Sequence, residues 1–300
     1  MSLKILVSGS SGLVGSALLG ALRTSGHDVK RLVRGPVKMP DQISWNPTEP
    51  LAPESVSGFD AVVHLAGESI VGRWTEAKKR CIIDSRVPAT RHLANALTKA
   101  PQRRRVFICA SAIGYYGDRG DEILREESPS GEGFTAELCR QWEAAAQSVK
   151  HAGIRDVQIR TGIVLSANGG ALAKMLPPFR MGVGGNVGNG RQWMSWIDLC
   201  DEVGAIEHLL TNDSIRGPVN MVSPNPVRNA EFTKTLASVL HRPAVLPMPA
   251  FAARLAFGQM ADELLLASQR VEPSKLVSSG YKFKRPDLRS SLEGILAGKA

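Results

Sequence analysis

The sequence predicts an α/β fold: a doubly wound parallel sheet with a smaller mixed α/β lobe following it. Three observations carry this expectation. Short β-branched runs alternate with stretches of helical apolar spacing through the first 165 residues. A glycine-rich turn separates the first run from the first helical stretch. Past Leu165 the alternation stops and glycine and proline become dense.

The elements follow in order. Leu3 to Ser8 reads as a buried strand, and Leu13 to Leu22 as a helix with apolar residues on one side. Val29 to Val33 is a second strand, and Ile43 with Trp45 marks a short third. Asp60 to Leu65 is a fourth strand, and helical spacing runs from Glu76 to Lys99. Val106 to Ala110 is a fifth strand, Phe134 to Val149 a helix, and Val157 to Arg160 a sixth strand. Strands separated by helices imply parallel pairing through right-handed crossovers. Glycine and proline are dense at Gly169-Gly170, at Pro177-Pro178 and from Gly182 to Gly190, a pattern too broken for a second Rossmann unit. Helices are expected at Asp198 to Leu210, Asn229 to Leu240, Pro249 to Phe257 and Leu288 to Leu296. Residues 1–165 are thus expected to form the sheet domain, with part of 190–225 packing on it. Residues 166–300 are expected to form a lobe over the C-terminal edge of the sheet, for a substrate or a partner.

Composition narrows the function classes. No run of about 18 apolar residues is present, and no charged segment with an apolar core opens the chain. A cytoplasmic protein without membrane contact is the expectation. Cys81, Cys109, Cys139 and Cys200 lie far apart with no CxxC spacing, so they read as reduced structural thiols, neither disulfides nor metal ligands. The net charge is +9. Its basic stretches, at Lys30-Arg31 with Arg34, Arg103 to Arg105 and Lys282 to Arg285, are short and not interleaved with aromatics. They read as solvated faces and a phosphate site, not as a nucleic-acid surface. The expected partner is a small-molecule substrate, with the chain a monomer or a homodimer.

The glycine turn is Gly9-Ser10-Ser11-Gly12-Leu13-Val14-Gly15. In a strand–turn–helix context, Gly9 permits the tight turn, Gly12 admits a phosphate to the backbone and Gly15 lets helix and strand pack. The free N–H groups of the helix start then face a pyrophosphate. This is the dinucleotide-binding turn of a Rossmann-like sheet. Cofactor choice is read at the end of the second strand, where NAD binders place an acid. Here Val29 to Arg34 contains none, and Arg34 stands where a ribose 2′-phosphate lies, with Arg31 and Lys38 nearby. A charge-assisted hydrogen bond contributes about 1.5–3 kcal/mol, which favours NADP(H) by roughly ten- to a hundredfold.

Several segments resemble the extended short-chain dehydrogenase/reductases. They are Gly9 to Gly15, His64-Leu65-Ala66-Gly67, SAIGYYG at Ser111 to Gly117, and Arg160-Thr161-Gly162. Two more are Gly188 to Asp201 and Gly217 to Phe232. Phe257 to Leu276 and Gly280 to Phe283 resemble the C-terminal domain, of unknown function, found in one atypical branch. That branch is the epimerase-family, nucleoside-diphosphate-sugar-epimerase-like proteins. The resemblance implies that Ala66 and Gly67 line the nicotinamide-ribose side; Leu65 and Arg86 are further candidates for cofactor binding, and Glu68 is, with Arg86, a polar candidate near the cleft. It puts Ser111 in the place of the active-site serine. The other reading of Ser111 is a strand-end serine bonding its own backbone.

One departure stands out. Family members carry Tyr-x-x-x-Lys on the helix after this loop, and the tyrosine moves the proton. This chain has no such pair, and Thr135 and Cys139 take the two places. Tyr115 and Tyr116 are then candidate acids, or packing aromatics. Arg191, Gln192 and Trp196 are candidates for a substrate wall, with Asp198 and Asp201 beside them. Asp198 also fits an N-cap. The functional expectation is an NADP(H)-dependent oxidoreductase or epimerase-like enzyme for a small carbonyl or sugar-like substrate. The alternative is a non-catalytic NADP(H)-binding sensor or regulatory protein.

Overall fold

The computed structural model describes residues 2–101 and 106–298, so the basic run at Arg103 to Arg105 lies outside it. Its first half comprises β1 (Lys4–Ser8), α1 (Leu13–Thr24), β2 (Asp28–Val33), β3 (Gln42–Ser44), β4 (Ala61–His64), α2 (Glu76–Asp84), α3 (Val87–Lys99), β5 (Val106–Ala112), β6 (Ile123–Leu124), α4 (Phe134–Ala146), α5 (Ser148–His151) and β7 (Arg155–Thr161). The second half comprises β8 (Ile163–Leu165), α6 (Gly170–Arg180), β9 (Trp193–Met194), β10 (Trp196–Asp198), α7 (Leu199–Thr211), β11 (Gly217–Met221), β12 (Val227–Arg228), α8 (Asn229–Leu240), α9 (Ala250–Phe257), β13 (Arg270–Val271), α10 (Ser274–Ser278) and α11 (Leu288–Leu296). Among the described residues no helix is long and apolar enough to cross a membrane.

The central sheet has seven strands in the order β11-β7-β5-β4-β1-β2-β3. Every pairing in it is parallel. Alternation along each strand feeds two cores, one on each face. Ile5, Val7, Val63 and Ile108 face Leu18 and Leu22 of α1 and Ile206 and Leu209 of α7. Leu6, Val62 and Phe107 face Leu93 and Leu97 of α3 and Trp142 of α4. The order reverses at β1 and β4, so the C-terminal ends of these two strands open a crevice at the switch point. A third core lies in the second half, where Leu172, Leu176 and Phe179 of α6 meet Phe232 and Leu236 of α8 and Leu292 of α11.

Three differences from the sequence reading have physical causes. The helical stretch expected from Glu76 to Lys99 is two helices, α2 and α3, broken at Ser85-Arg86. Pro88 stands in the first turn of α3 and has no N–H to continue the ladder from α2. The Gly/Pro-rich stretch, where the sequence reading placed no helix, contains α6, with Pro177 and Pro178 in its last turns. Its buried Leu172, Leu176 and Phe179 recur at helical spacing, and their burial outweighs the two missing N–H groups. The seventh strand, β11, comes from GPVNM, whose opening Gly-Pro hides it; it pairs with β7 and extends the sheet.

Candidate functional site: a dinucleotide crevice and the polar cluster beneath it

The turn between β1 and α1 fits a dinucleotide. Gly9 has φ +71°, and a Cβ there would lie 2.5 Å from the Leu65 carbonyl carbon at the end of β4. A Cβ on Gly15 would lie 2.2 Å from the Gly9 oxygen. The turn closes through Gly12 N donating to Gly9 O at 3.0 Å, and the helix ladder begins with Ser16 N to Gly12 O at 2.9 Å. The N–H groups of Leu13, Val14 and Gly15 therefore precede the first intrahelical bond. No side chain caps α1 and no acid stands in its first turn, so its positive end is open to an anion. Ser10 is buried in the turn and Ser11 is exposed. Leu13 packs against Gly169 and Gly170, which bring the loop before α6 over the turn.

At the end of β2, Arg34 is exposed, and its charge helps hold the Glu68 carboxyl below its usual range, after the larger effects of Lys78. Arg31 is instead committed to Asp41, at 2.7 Å, and Arg23 reaches the same carboxylate at 2.6 Å. Asp41 thus holds one nitrogen of Arg31, while Arg34 and Lys38 stand exposed.

The wall after β4 is built on Arg86. Its guanidinium donates to Glu68 O at 2.8 Å and to Ile82 O at 3.2 Å, and lies 5.0 Å from the centre of the Trp142 ring. Gly67 is pressed against it, since a Cβ there would lie 3.0 Å from the Arg86 guanidinium carbon. Beneath this wall His64 is buried, with Nδ1 2.5 Å from Ser8 Oγ and Nε2 3.0 Å from Thr90 Oγ1. Trp142 Nε1 donates to the same Thr90 hydroxyl at 2.9 Å. Burial pushes the His64 pKa down to about 4, so the ring is neutral at ordinary pH. This chain of polar contacts ties β1, β4, α3 and α4 together directly below the crevice.

The place expected for the reacting groups holds a closed network. Ser111 Oγ donates to Glu143 Oε1 at 2.7 Å, not to its own backbone. Arg160 forks onto Glu143, with Nε to Oε1 at 2.8 Å and Nη2 to Oε2 at 2.9 Å. Arg160 Nη1 donates to the Tyr116 hydroxyl at 3.0 Å, and that hydroxyl donates to Asn220 Oδ1 at 2.7 Å. Tyr116 is fully buried, and burial pushes its pKa up to about 12. Its hydroxyl serves the fold and is not presented to a ligand. Tyr115 is half-buried, with the Arg160 guanidinium 3.5 Å from the centre of its ring. The Tyr115 hydroxyl makes no hydrogen bond among the described residues.

Thr135 and Cys139, expected from the sequence in the places of the tyrosine and lysine, are both buried. The Cys139 thiol is pushed up to about 11 by burial and donates to Ala112 O at 3.6 Å. Above Thr135 stands a residue that sequence reasoning missed, Glu263. Its carboxylate accepts from Phe134 N at 3.0 Å, from Thr135 N at 2.8 Å and from Thr135 Oγ1 at 2.8 Å. Gln259 Nε2 supplies a fourth donor at 2.7 Å. A carboxylate from the C-terminal lobe thus caps the start of α4. No local signal marks it, because the helix start lacks a capping side chain of its own.

The expected substrate wall does not assemble. Gln192 is buried and donates to Val187 O at 3.0 Å and Leu265 O at 2.9 Å. Trp196 is fully buried and donates to Asn225 O at 3.0 Å. Arg191 is exposed on the surface. Asp198 caps α7 through Cys200 N at 2.9 Å and accepts from Ser291 Oγ at 2.7 Å. Asp201 accepts from the backbone N–H groups of Lys284 and Arg285 at 2.7 and 2.9 Å, fixing the segment before α11.

Comparison with known proteins places this geometry. Residues 5–222 match the model of the NAD dependent epimerase/dehydratase family, and residues 248–295 match a domain of unknown function, DUF1731. An epimerase family protein of Mycobacterium bovis, Mb2239, is 42% identical over 290 residues, covering 96% of each chain. Epimerase family protein YfhF of Bacillus subtilis is 37% identical, covering 99% of each chain. The crystal structure of human epimerase family protein SDR39U1, isoform 2, solved with NADPH, superposes with a TM-score of 0.90 at 35% identity, covering 98% of this chain and 99% of that one. The chain belongs to the NAD-dependent epimerase/dehydratase family, in the branch that carries a C-terminal DUF1731 domain.

Proposed function

We propose that this chain binds NADP(H) and uses it to reduce or epimerise a small carbonyl or sugar-like substrate without a Tyr–Lys pair. The observation that carries the reading is the open, acid-free N-terminus of α1, with exposed Arg34 at the end of the neighbouring strand. The NADPH in the crystal structure of the human relative supports the same choice. Leu13, Val14 and Gly15 would hold the pyrophosphate, Arg34 the 2′-phosphate, and Ala66, Gly67 and Arg86 the nicotinamide ribose. When bound, the cofactor supplies or accepts a hydride. Tyr115 is the proton donor in this reading, because the Tyr116 and Ser111 hydroxyls are spent on Asn220 and Glu143. Ser111 and Arg160 act by holding the floor of the site rigid.

A second reading is a non-catalytic NADP(H) sensor. It is favoured by the same inward commitment of Ser111 and Tyr116 and by the capped Thr135. One experiment separates the two. Calorimetric titration of the wild type and of Arg34→Ala should show NADPH binding roughly ten- to a hundredfold tighter than NADH, with the preference lost in the variant. Equal wild-type affinities overturn the cofactor assignment. NADPH oxidation is then followed against aldehydes, quinones and nucleotide sugars, with Tyr115→Phe expected to lower kcat by about 10²–10⁴. No turnover across the panel, with tight NADPH binding intact, selects the sensor.

A further inference from the structure

A group of large apolar side chains on the ribbon after α6 and on α9 stands exposed among the described residues. The segment after α6 runs beside the segment before α9, joined by Leu246 N to Gly184 O at 3.2 Å and Met248 N to Asn186 O at 2.8 Å. A Cβ on Gly185 would lie 2.1 Å from the Leu246 oxygen, so the two backbones touch. This ribbon exposes Met181, Val183, Val245 and Leu246. The following helix, α9, exposes Phe251 at 72% and Leu255 at 76%, four residues apart on one side, while Ala253 is buried on the other. Apolar surface of this extent on a folded chain marks a place of association.

On α9 itself Arg254 is paired with Asp262 at 2.8 Å, so the unpaired charge beside the patch comes from the ribbon. Between Asp156 and Asp198, and again between Glu231 and Asp262, the chain has no acidic residue. Arg180 directly precedes Met181, and Arg242 stands three residues before Val245. Both are exposed, and neither has an ion-pair partner among the described residues. A second copy docked isologously through this patch would bring the same two arginines to the interface, and no carboxylate from residues 157–197 or 232–261 to pair them. A surface that is apolar inside and anionic at its rim satisfies both features at once. We infer that this ribbon and α9 dock the protein onto an anionic lipid surface, with Phe251 and Leu255 entering the headgroup boundary and Arg180 and Arg242 meeting lipid phosphates. Docking also orients the crevice. Arg73, on the loop that follows Gly67, donates from Nη1 to Leu255 O at 3.3 Å, so this loop is carried with α9 toward the lipid.

The test is co-sedimentation of the full chain with vesicles of phosphatidylcholine alone, or with roughly one third phosphatidylglycerol. The wild type is expected to pellet with the anionic vesicles, to lose that binding in high salt and to ignore the neutral ones. The double variants Phe251→Ser/Leu255→Ser and Arg180→Glu/Arg242→Glu should each lower the partition coefficient by roughly tenfold or more. Thermal stabilisation by NADPH, measured on each variant, shows that the fold and the crevice survive. No binding of the wild type to anionic vesicles overturns the proposal, as does binding that both double variants retain. A wild-type dimer in sedimentation equilibrium that Phe251→Ser/Leu255→Ser dissolves, without vesicle binding, assigns the face to a second copy instead.

Discussion

Glu202 shows how a single residue can set the pH response of this molecule. It is fully buried in the first turn of α7, where Thr161 Oγ1 donates to its Oε1 at 2.9 Å and Oε2 has no partner. Burial pushes its pKa up to about 8 from an ordinary 4.5. The folded state therefore holds a proton that the unfolded state has lost, and stability falls as pH rises through that window. His64 works in the opposite sense. Its folded pKa of about 4 lies below the usual 6.5, so its contribution is lost as pH falls between the two values. Glu202→Gln reproduces the protonated side chain without the titration. The variant is expected to hold its Tm nearly flat from about pH 6 to about 8.5, where the wild type declines by several degrees. Superimposable Tm–pH curves for the two proteins would sink the assignment. Neither residue stands out in the sequence: His64 appears there only within a family motif, and Glu202 looks like one of two acids opening a helix. Burial, which a sequence does not state, makes both of them titrate abnormally.

Among the elements, the β1–α1 turn was the most legible and α4 the least. The turn is local: its three glycines lie within seven residues, and their spacing alone implies their roles. The structure ranks them. A Cβ on Gly15 meets the Gly9 oxygen at 2.2 Å, whereas one on Gly12 meets it at 3.3 Å. Gly15→Val should thus displace α1 from the sheet and lower thermal stability markedly. Gly12→Val should leave the melting temperature close to wild type yet abolish stabilisation by NADPH, because the side chain fills the phosphate's place. A Gly12→Val protein that NADPH still stabilises would show that the cofactor binds elsewhere. In α4 the sequence shows an amphipathic helix and no more. Its Trp142 and Glu143 reach Thr90 and Arg160, and its first turn waits for a cap from another part of the chain.

Across the whole molecule, that cap joins the C-terminal lobe to the sheet. Glu263 meets Thr135 across 128 residues of chain and receives three hydrogen bonds from Phe134 and Thr135. Loss of an N-cap costs about 0.5–2 kcal/mol. Glu263→Ala should accordingly leave global unfolding cooperative, while hydrogen exchange speeds up at the Phe134 and Thr135 amides and through residues 258–266. Unchanged exchange in those segments would show that Glu263 is not the latch. The sequence alone determined the parallel sheet, its first six strands, the helices α1, α4, α7, α8, α9 and α11 and the dinucleotide turn. All of these rest on apolar period and turn chemistry, which act over a few residues. Only the tertiary structure decided that β11 completes the sheet, and that Ser111 and Tyr116 turn inward to Glu143 and Asn220, 32 and 104 residues away. It alone paired Arg31 with Asp41. A polar side chain's role depends on which partner reaches it first, and the partners here are brought together by packing of apolar faces distant in the chain.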